Sequence, residues 1–264
     1  MSAARLTWSI ACVVLSAAAG AAEPPANHRN FVSCPIVRDT PTVPCWLAEY
    51  RGELYYLGIQ TDVSAEFHPP LLGHKVLVEG TIKDGPRICG GIVLEPLKIS
   101  PLLAELDGTC NTILPAEEQY TVPFAPRPPG PSGGRLAFDA APGAPRAAPA
   151  PLTGPQEFVL YYDFDMPVGG RHSGTLSRIY DYASSLHDPK IGITCQRGAT
   201  LLSDSTLLAE REELPQLRAQ EIAKLLRGAG LAADSMRVES STALAPAKGD
   251  SDWQQRRCVV RVAP

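Results

Sequence analysis

The chain of 264 residues is long enough for one large domain or two ordinary ones, and its 44% apolar content can supply a core for each. A formal net charge of -4 leaves no basic excess for nucleic acid or an acidic membrane surface. Neither His-Glu-x-x-His nor a phosphate-cradling Gly-x-x-x-x-Gly-Lys run occurs, so no catalytic role, metal or cofactor is expected.

Residues 1–22 read as a secretory signal: Arg5, an apolar run from Leu6 to Ala19, then Ala19-Gly20-Ala21 as a small-x-small cleavage site. That run is too short for a membrane span, and no later segment approaches the roughly 20 apolar residues a spanning helix needs. Processing would remove Arg5, taking the charge from -4 to -5, and Cys12, leaving six of the seven cysteines. An even number in an exported chain points to disulfides. Cys34, Cys45, Cys89 and Cys110 precede a proline-rich stretch, and Cys195 and Cys258 follow it. If each half closes its own bonds, Cys195 pairs with Cys258, while the pairing of the first four stays open.

Residues 30–118 are expected to form a small disulfide-containing β domain. Trp46 to Tyr50 and Glu53 to Ile59 flank Arg51-Gly52 as a hairpin. Lys75 to Ile82 and Arg87 to Leu94 form a second hairpin through Asp84-Gly85-Pro86. Gly80, Gly90 and Gly91 fall inside the strand pattern, where glycine marks bulges and barrel corners. The expectation is a small closed or partly open β-barrel, and Leu71 to Gly80 resembles the strand entry of an OB-like barrel. His68 and His74 flank Pro69-Pro70, which forbids a helix that would align them as metal ligands. Trp46, Tyr50, Tyr55 and Tyr56 fit core filling better than a stacking platform.

Residues 119–156 carry Pro123, Pro126, Pro128, Pro129, Pro131, Pro142, Pro145, Pro149, Pro151 and Pro155, the composition of an extended, semi-rigid linker. Beyond it, residues 157–264 alternate element types. Phe158 to Asp165 reads as a strand, and Leu176, Ile179, Tyr180, Ala183 and Leu186 give a helical face that Pro189 ends. Ile191, Ile193 and Cys195 alternate as a strand. A second helix begins near Pro215, with Ala219, Ile222, Ala223 and Leu226 on one face and Glu212 and Glu213 at its positive end. Met236 to Ser240 and Cys258 to Val262 complete the order strand, helix, strand, helix, strand, strand. The fold class expected for the whole chain is therefore two-domain α+β.

Four phrases in the C-terminal half resemble the OmpA-like C-terminal domain, the periplasmic module that holds peptidoglycan in Gram-negative envelopes. Tyr162-Asp163-Phe164-Asp165 stands where the family has Phe-x-Phe-Asp. Arg211, Leu214-Pro215 and Arg218-Ala219 occupy its Asn, Leu-Ser and Arg-Ala positions. The helix exit Leu225 to Leu231 and Gln255-Arg256-Arg257 match as well. The resemblance covers residues 158–262. It implies a last strand antiparallel to the second, bringing Cys195 beside Cys258.

It also implies a binding site in which an aspartate after the second strand takes the ammonium, and the helix arginine the carboxylate, of a diaminopimelate side chain. Arg218 is that arginine. Asp204, 14 residues before it, is the candidate acid, and Arg197 and Arg211 would make the pocket more cationic. The functional expectation is a non-catalytic periplasmic envelope protein that binds peptidoglycan through Arg218. The alternative is a scaffold with envelope-protein partners whose pocket no longer binds peptidoglycan.

Overall fold

The computed structural model describes residues 25–59, 69–104, 106–120, 122, 154–169 and 172–264. The expected signal segment, His68 and nearly all of the expected linker lie outside them. No helix among the described residues is long and apolar enough to cross a membrane.

Among the described residues the N-terminal half has seven strands: β1 (His28–Ser33), β2 (Pro35–Arg38), β3 (Cys45–Tyr50), β4 (Glu53–Ile59), β5 (Val76–Ile82), β6 (Ile92–Pro101) and β7 (Ile113–Leu114). They join in one sheet in the order β1-β5-β6-β4-β3-β2-β7. Strands β3 and β4 form the first expected hairpin, and Arg51 and Gly52 both take positive φ, 52° and 78°, as a tight hairpin turn demands. The second hairpin pairs β5 with β6, but β6 starts at Ile92, after a short bridge between Ile88 and Gly91. Cys34–Cys110 ties the β1–β2 junction to the loop before β7, and Cys45–Cys89 ties the start of β3 to the loop before β6. Tyr50 stacks on Phe31 with ring centroids 4.8 Å apart and Tyr55 is buried, so both belong to the core.

The expected OB-like barrel is not formed. Among the described residues β1 and β7 are the two edges of an open sheet. The glycines read as barrel corners serve close approaches instead. A Cβ on Gly91 would lie 2.7 Å from the backbone nitrogen of Tyr56, and one on Gly80 would lie 2.7 Å from the carbonyl oxygen of Pro96, beside a register shift between β5 and β6. Glycine permits a bend and a tight crossing for the same steric reason, and its position in the sequence does not tell them apart.

The C-terminal half contains β8 (Gln156–Tyr161), α1 (Ser173–Ser184), β9 (Lys190–Arg197), β10 (Ala199–Leu201), β11 (Leu207–Ala209), α2 (Leu214–Gly228), β12 (Met236–Leu244) and β13 (Arg257–Ala263). Its main sheet runs β12-β9-β13-β8, with β13 antiparallel to both neighbours and β12 parallel to β9. One face carries Phe158, Leu160, Ile191, Ile193, Val260 and Val262 against Ile179, Tyr182 and Ala183 of α1 and Ala219, Ile222, Ala223 and Leu226 of α2. Tyr182, rather than the expected Tyr180, turns inward from α1. Cys195 stands opposite Cys258 in the β9–β13 register, and the two are bonded.

The two halves share a buried, hydrogen-bonded contact. Arg256, Thr200 and Glu79 form a closed triangle: Arg256 Nη1 donates to Glu79 Oε1 and to Thr200 Oγ1, each at 3.0 Å, and the Thr200 hydroxyl donates to Glu79 Oε1 at 2.9 Å. The Asn30 amide donates to the carbonyls of Leu201 and Gly249 at 3.0 and 2.9 Å. Leu77, Phe164 and Leu202 make a small apolar cluster beside these polar groups.

Candidate functional site

Helix α2 begins with Leu214 and Pro215 buried, the proline standing in the first turn where its missing N–H costs nothing. One turn on, Arg218 points into the protein with a relative exposure of 0%. Each guanidinium nitrogen is engaged. Nε donates to the carbonyl of Met166 at 2.9 Å, Nη1 to Glu210 Oε2 at 3.0 Å, and Nη2 to Glu210 Oε1 at 2.6 Å and to the carbonyl of Asp163 at 3.4 Å. The guanidinium also lies 4.5 Å from the centre of the Tyr162 ring. Burial pushes the Tyr162 hydroxyl well above the usual phenol range, against the opposing pull of Arg218.

Glu210 is equally enclosed, at 0% exposure. Besides the two arginine nitrogens, its carboxylate accepts from the backbone N–H of Gly198 at 2.8 Å and of Asp165 at 3.0 Å. Four donors on two oxygens satisfy a carboxylate. Gly198 makes this geometry available: a Cβ there would lie 3.1 Å from Glu210 Oε2 and 2.4 Å from Arg256 Cγ. The fork of Arg218 is shaped to take a carboxylate two-handed, and this chain supplies one.

Two of the three other expected site residues gather near this pair. Arg197 Nε donates to the backbone carbonyl of Glu210 at 2.6 Å, and its Nη1 reaches Glu212 at 3.4 Å. Arg211 turns away from Arg218. Its Nε donates to Asp165 Oδ2 at 2.7 Å and its Nη1 to Glu213 at 3.2 Å, while Asp165 Oδ1 accepts from the Arg211 backbone at 2.9 Å. Asp165 holds a positive φ of 57°, a conformation that the double contact with Arg211 stabilises. Asp204 is placed elsewhere, in the exposed turn between β10 and β11, where its carboxylate accepts from the backbone N–H of Thr206 at 2.9 Å. That bond holds its carboxyl below the usual range.

The acid that meets Arg218 is thus Glu210, which the sequence pattern passes over. It adjoins the position matching the family's asparagine, but it also sits among Glu212 and Glu213, and nothing local separates a buried glutamate from two exposed ones. The turn from Asp163 to Met166 closes over Arg218 from the other side. Its Phe164 N–H donates to Ser100 Oγ of β6 at 2.9 Å, and Asp163 pairs with Lys98 at 2.6 Å, so the N-terminal sheet braces the cover. Outside the cover, between the halves, lies a cleft of about 510 Å³ lined in part by Lys75, Leu102, Asp165, Met166 and Arg211.

No protein-family model matches the chain, and no curated protein matches it. Solved structures that resemble part of it include an OmpA-like domain, a cell wall anchor and a peptidoglycan-associated lipoprotein. The OmpA-like domain of FopA1 from Francisella tularensis is 11% identical, with a TM-score of 0.33, over 42% of this chain and 73% of that one. The cell wall anchor of the T6SS from Pseudomonas aeruginosa is 19% identical, with a TM-score of 0.32, over 42% of this chain and 82% of that one. The peptidoglycan-associated lipoprotein from Burkholderia pseudomallei is 23% identical, with a TM-score of 0.30, over 40% of this chain and 89% of that one.

Proposed function

We propose that this chain is a non-catalytic, exported envelope scaffold whose C-terminal half keeps an OmpA-like arrangement but has turned its helix arginine inward. The observation that carries this reading is the buried pair: Glu210 fills the fork of Arg218 at 2.6 and 3.0 Å, with both side chains sealed from solvent. A ligand carboxylate would have to displace an acid held by four donors and strip both charges from their partners, a cost of several kcal/mol per ion. Asp204, the acid proposed to take an ammonium group, makes its bonds in a separate turn. Three disulfides support residence in an oxidising compartment such as the periplasm. The partners on this reading are other envelope proteins.

Co-sedimentation of the full-length protein with purified sacculi tests it. The protein is expected to stay in the supernatant, and Arg218→Lys, checked for folding by circular dichroism, is expected to behave identically. Pelleting that Arg218→Lys abolishes and free diaminopimelate competes away would restore Arg218 as a peptidoglycan ligand and overturn the proposal.

A further inference from the structure

Strand β12 is the outermost strand of the C-terminal sheet and, among the described residues, pairs only with β9. After a half-buried Met236, all eight of its remaining residues are exposed. Its sequence, Met-Arg-Val-Glu-Ser-Ser-Thr-Ala-Leu, contains neither proline nor lysine, two of the devices that keep an open edge from pairing. The strand is regular from Met236 to Ser241, before the register shifts ahead of Leu244. Val238 lies opposite Ile193, on the side of the sheet that faces the helices, and is 41% exposed. Arg237 and Glu239 lie opposite Gly192 and Thr194, on the other face, and bond each other at 2.9 Å with side chains 84% and 53% exposed.

That alternation selects a partner and a register. Two antiparallel strands place residues of the same face opposite one another, and closed two-fold pairing of identical strands puts one residue on the axis. An axis at Arg237 sets two arginines face to face, and an axis at Glu239 sets two glutamates face to face; both are unfavourable. An axis at Val238 sets Arg237 opposite Glu239 of the second copy, twice, and brings the two exposed valines together. We propose that two copies of this chain associate edge to edge through β12, antiparallel and centred on Val238, extending two four-stranded sheets into one of eight. The charges that refuse the neighbouring registers are the ones that fix this one. No residue of the Arg218 site lies on β12, so the outcome here leaves the scaffold proposal to its own test.

Sedimentation velocity of the full-length protein over a concentration series should report a reversible monomer–dimer equilibrium. Arg237→Glu and Glu239→Arg should each weaken it by about tenfold or more, because each turns two attractive pairs into two repulsive ones, and the double exchange should restore it. Val238→Cys gives a second readout. Residues facing each other across an antiparallel pair have Cα atoms about 4.5–5.5 Å apart, within reach of a disulfide, so this variant should form a covalent dimer on non-reducing gels where Ser241→Cys does not. A wild-type monomer at every concentration, or a dimer indifferent to both charge exchanges, overturns the proposal.

Discussion

Each guanidinium nitrogen of Arg218 is engaged inside the chain, which gives this arginine a structural part to play. Arg218 and Glu210 each complete the other's hydrogen bonding in a place that water does not reach. Removing one partner strands the other charge. Glu210→Gln should therefore lower the unfolding free energy by about 3–5 kcal/mol, read as a lower urea midpoint at unchanged slope, and a loss under about 1 kcal/mol would mean the pair is solvated. His172, at the start of α1, makes a pH-dependent contribution. One ring nitrogen donates to the carbonyl of Tyr161 at 2.7 Å and the ring stands edge-on to Tyr162, with Arg218, Lys98 and Asp163 as its charged neighbours. Burial holds its pKa below the ordinary imidazole value of about 6.5. As pH falls through that value the unfolded chain takes the proton first, so stability is full above about pH 6.5 and declines as pH drops toward the lower folded value. The melting temperature should follow that course in the wild type. In His172→Asn, which keeps a donor for Tyr161, the decline should be smaller.

At the level of elements, the parts legible in the sequence are those whose residues announce their own periodicity. The β3–β4 hairpin follows from Arg51-Gly52 between two aromatic-rich runs, and α2 from Ala219, Ile222, Ala223 and Leu226 after Pro215. The β10–β11 hairpin was not legible. Its strands have three residues each, too few for a period, and much of their support comes from distant groups: Thr200 bonds Glu79, and Leu202 packs with Leu77. That hairpin delivers Glu210 to Arg218, so the unreadable element decided the site. In the same way Gly80 and Gly91 signalled a departure from flat strand without saying whether the sheet closes. The Cys195–Cys258 bond, by contrast, joins the two central strands of the sheet, whose antiparallel pairing the motif resemblance implied. It closes a segment of 63 residues, for which the chain-entropy model gives about 4 kcal/mol. Cys195→Ala with Cys258→Ala should cost about 2–4 kcal/mol by chemical denaturation while the far-ultraviolet dichroism of the sheet persists, because six residue pairs still join β9 to β13. Loss of that spectrum would mean that the bond, not the ladder, holds the two strands.

On the scale of the whole molecule, the two sheets are coupled by charge as much as by apolar contact. Glu79 belongs to β5 and Arg256 to the turn before β13, 177 residues apart, yet both are buried at the junction and share Thr200 as a common partner. Asp252 shapes the C-terminal surface that receives Asn30, since its carboxylate accepts from the backbone N–H groups of Leu201, Lys248 and Gly249. Such a junction is specific but conditional. With both partners present the charges are satisfied; with one absent, the other remains desolvated unless the halves part. Arg256→Met should consequently split a single calorimetric unfolding transition into two, because separation of the halves lets Glu79 return to water at the expense of their mutual stabilisation. Combining it with Glu79→Leu removes both charges and should bring the transitions back together, as apolar replacements of buried ion pairs commonly do. If Arg256→Met unfolds in one transition at the wild-type temperature, the triangle of Arg256, Glu79 and Thr200 contributes nothing to joining the halves. Coupling would then rest on the Leu77, Phe164 and Leu202 cluster and on Asn30, whose replacement by alanine should produce the split instead.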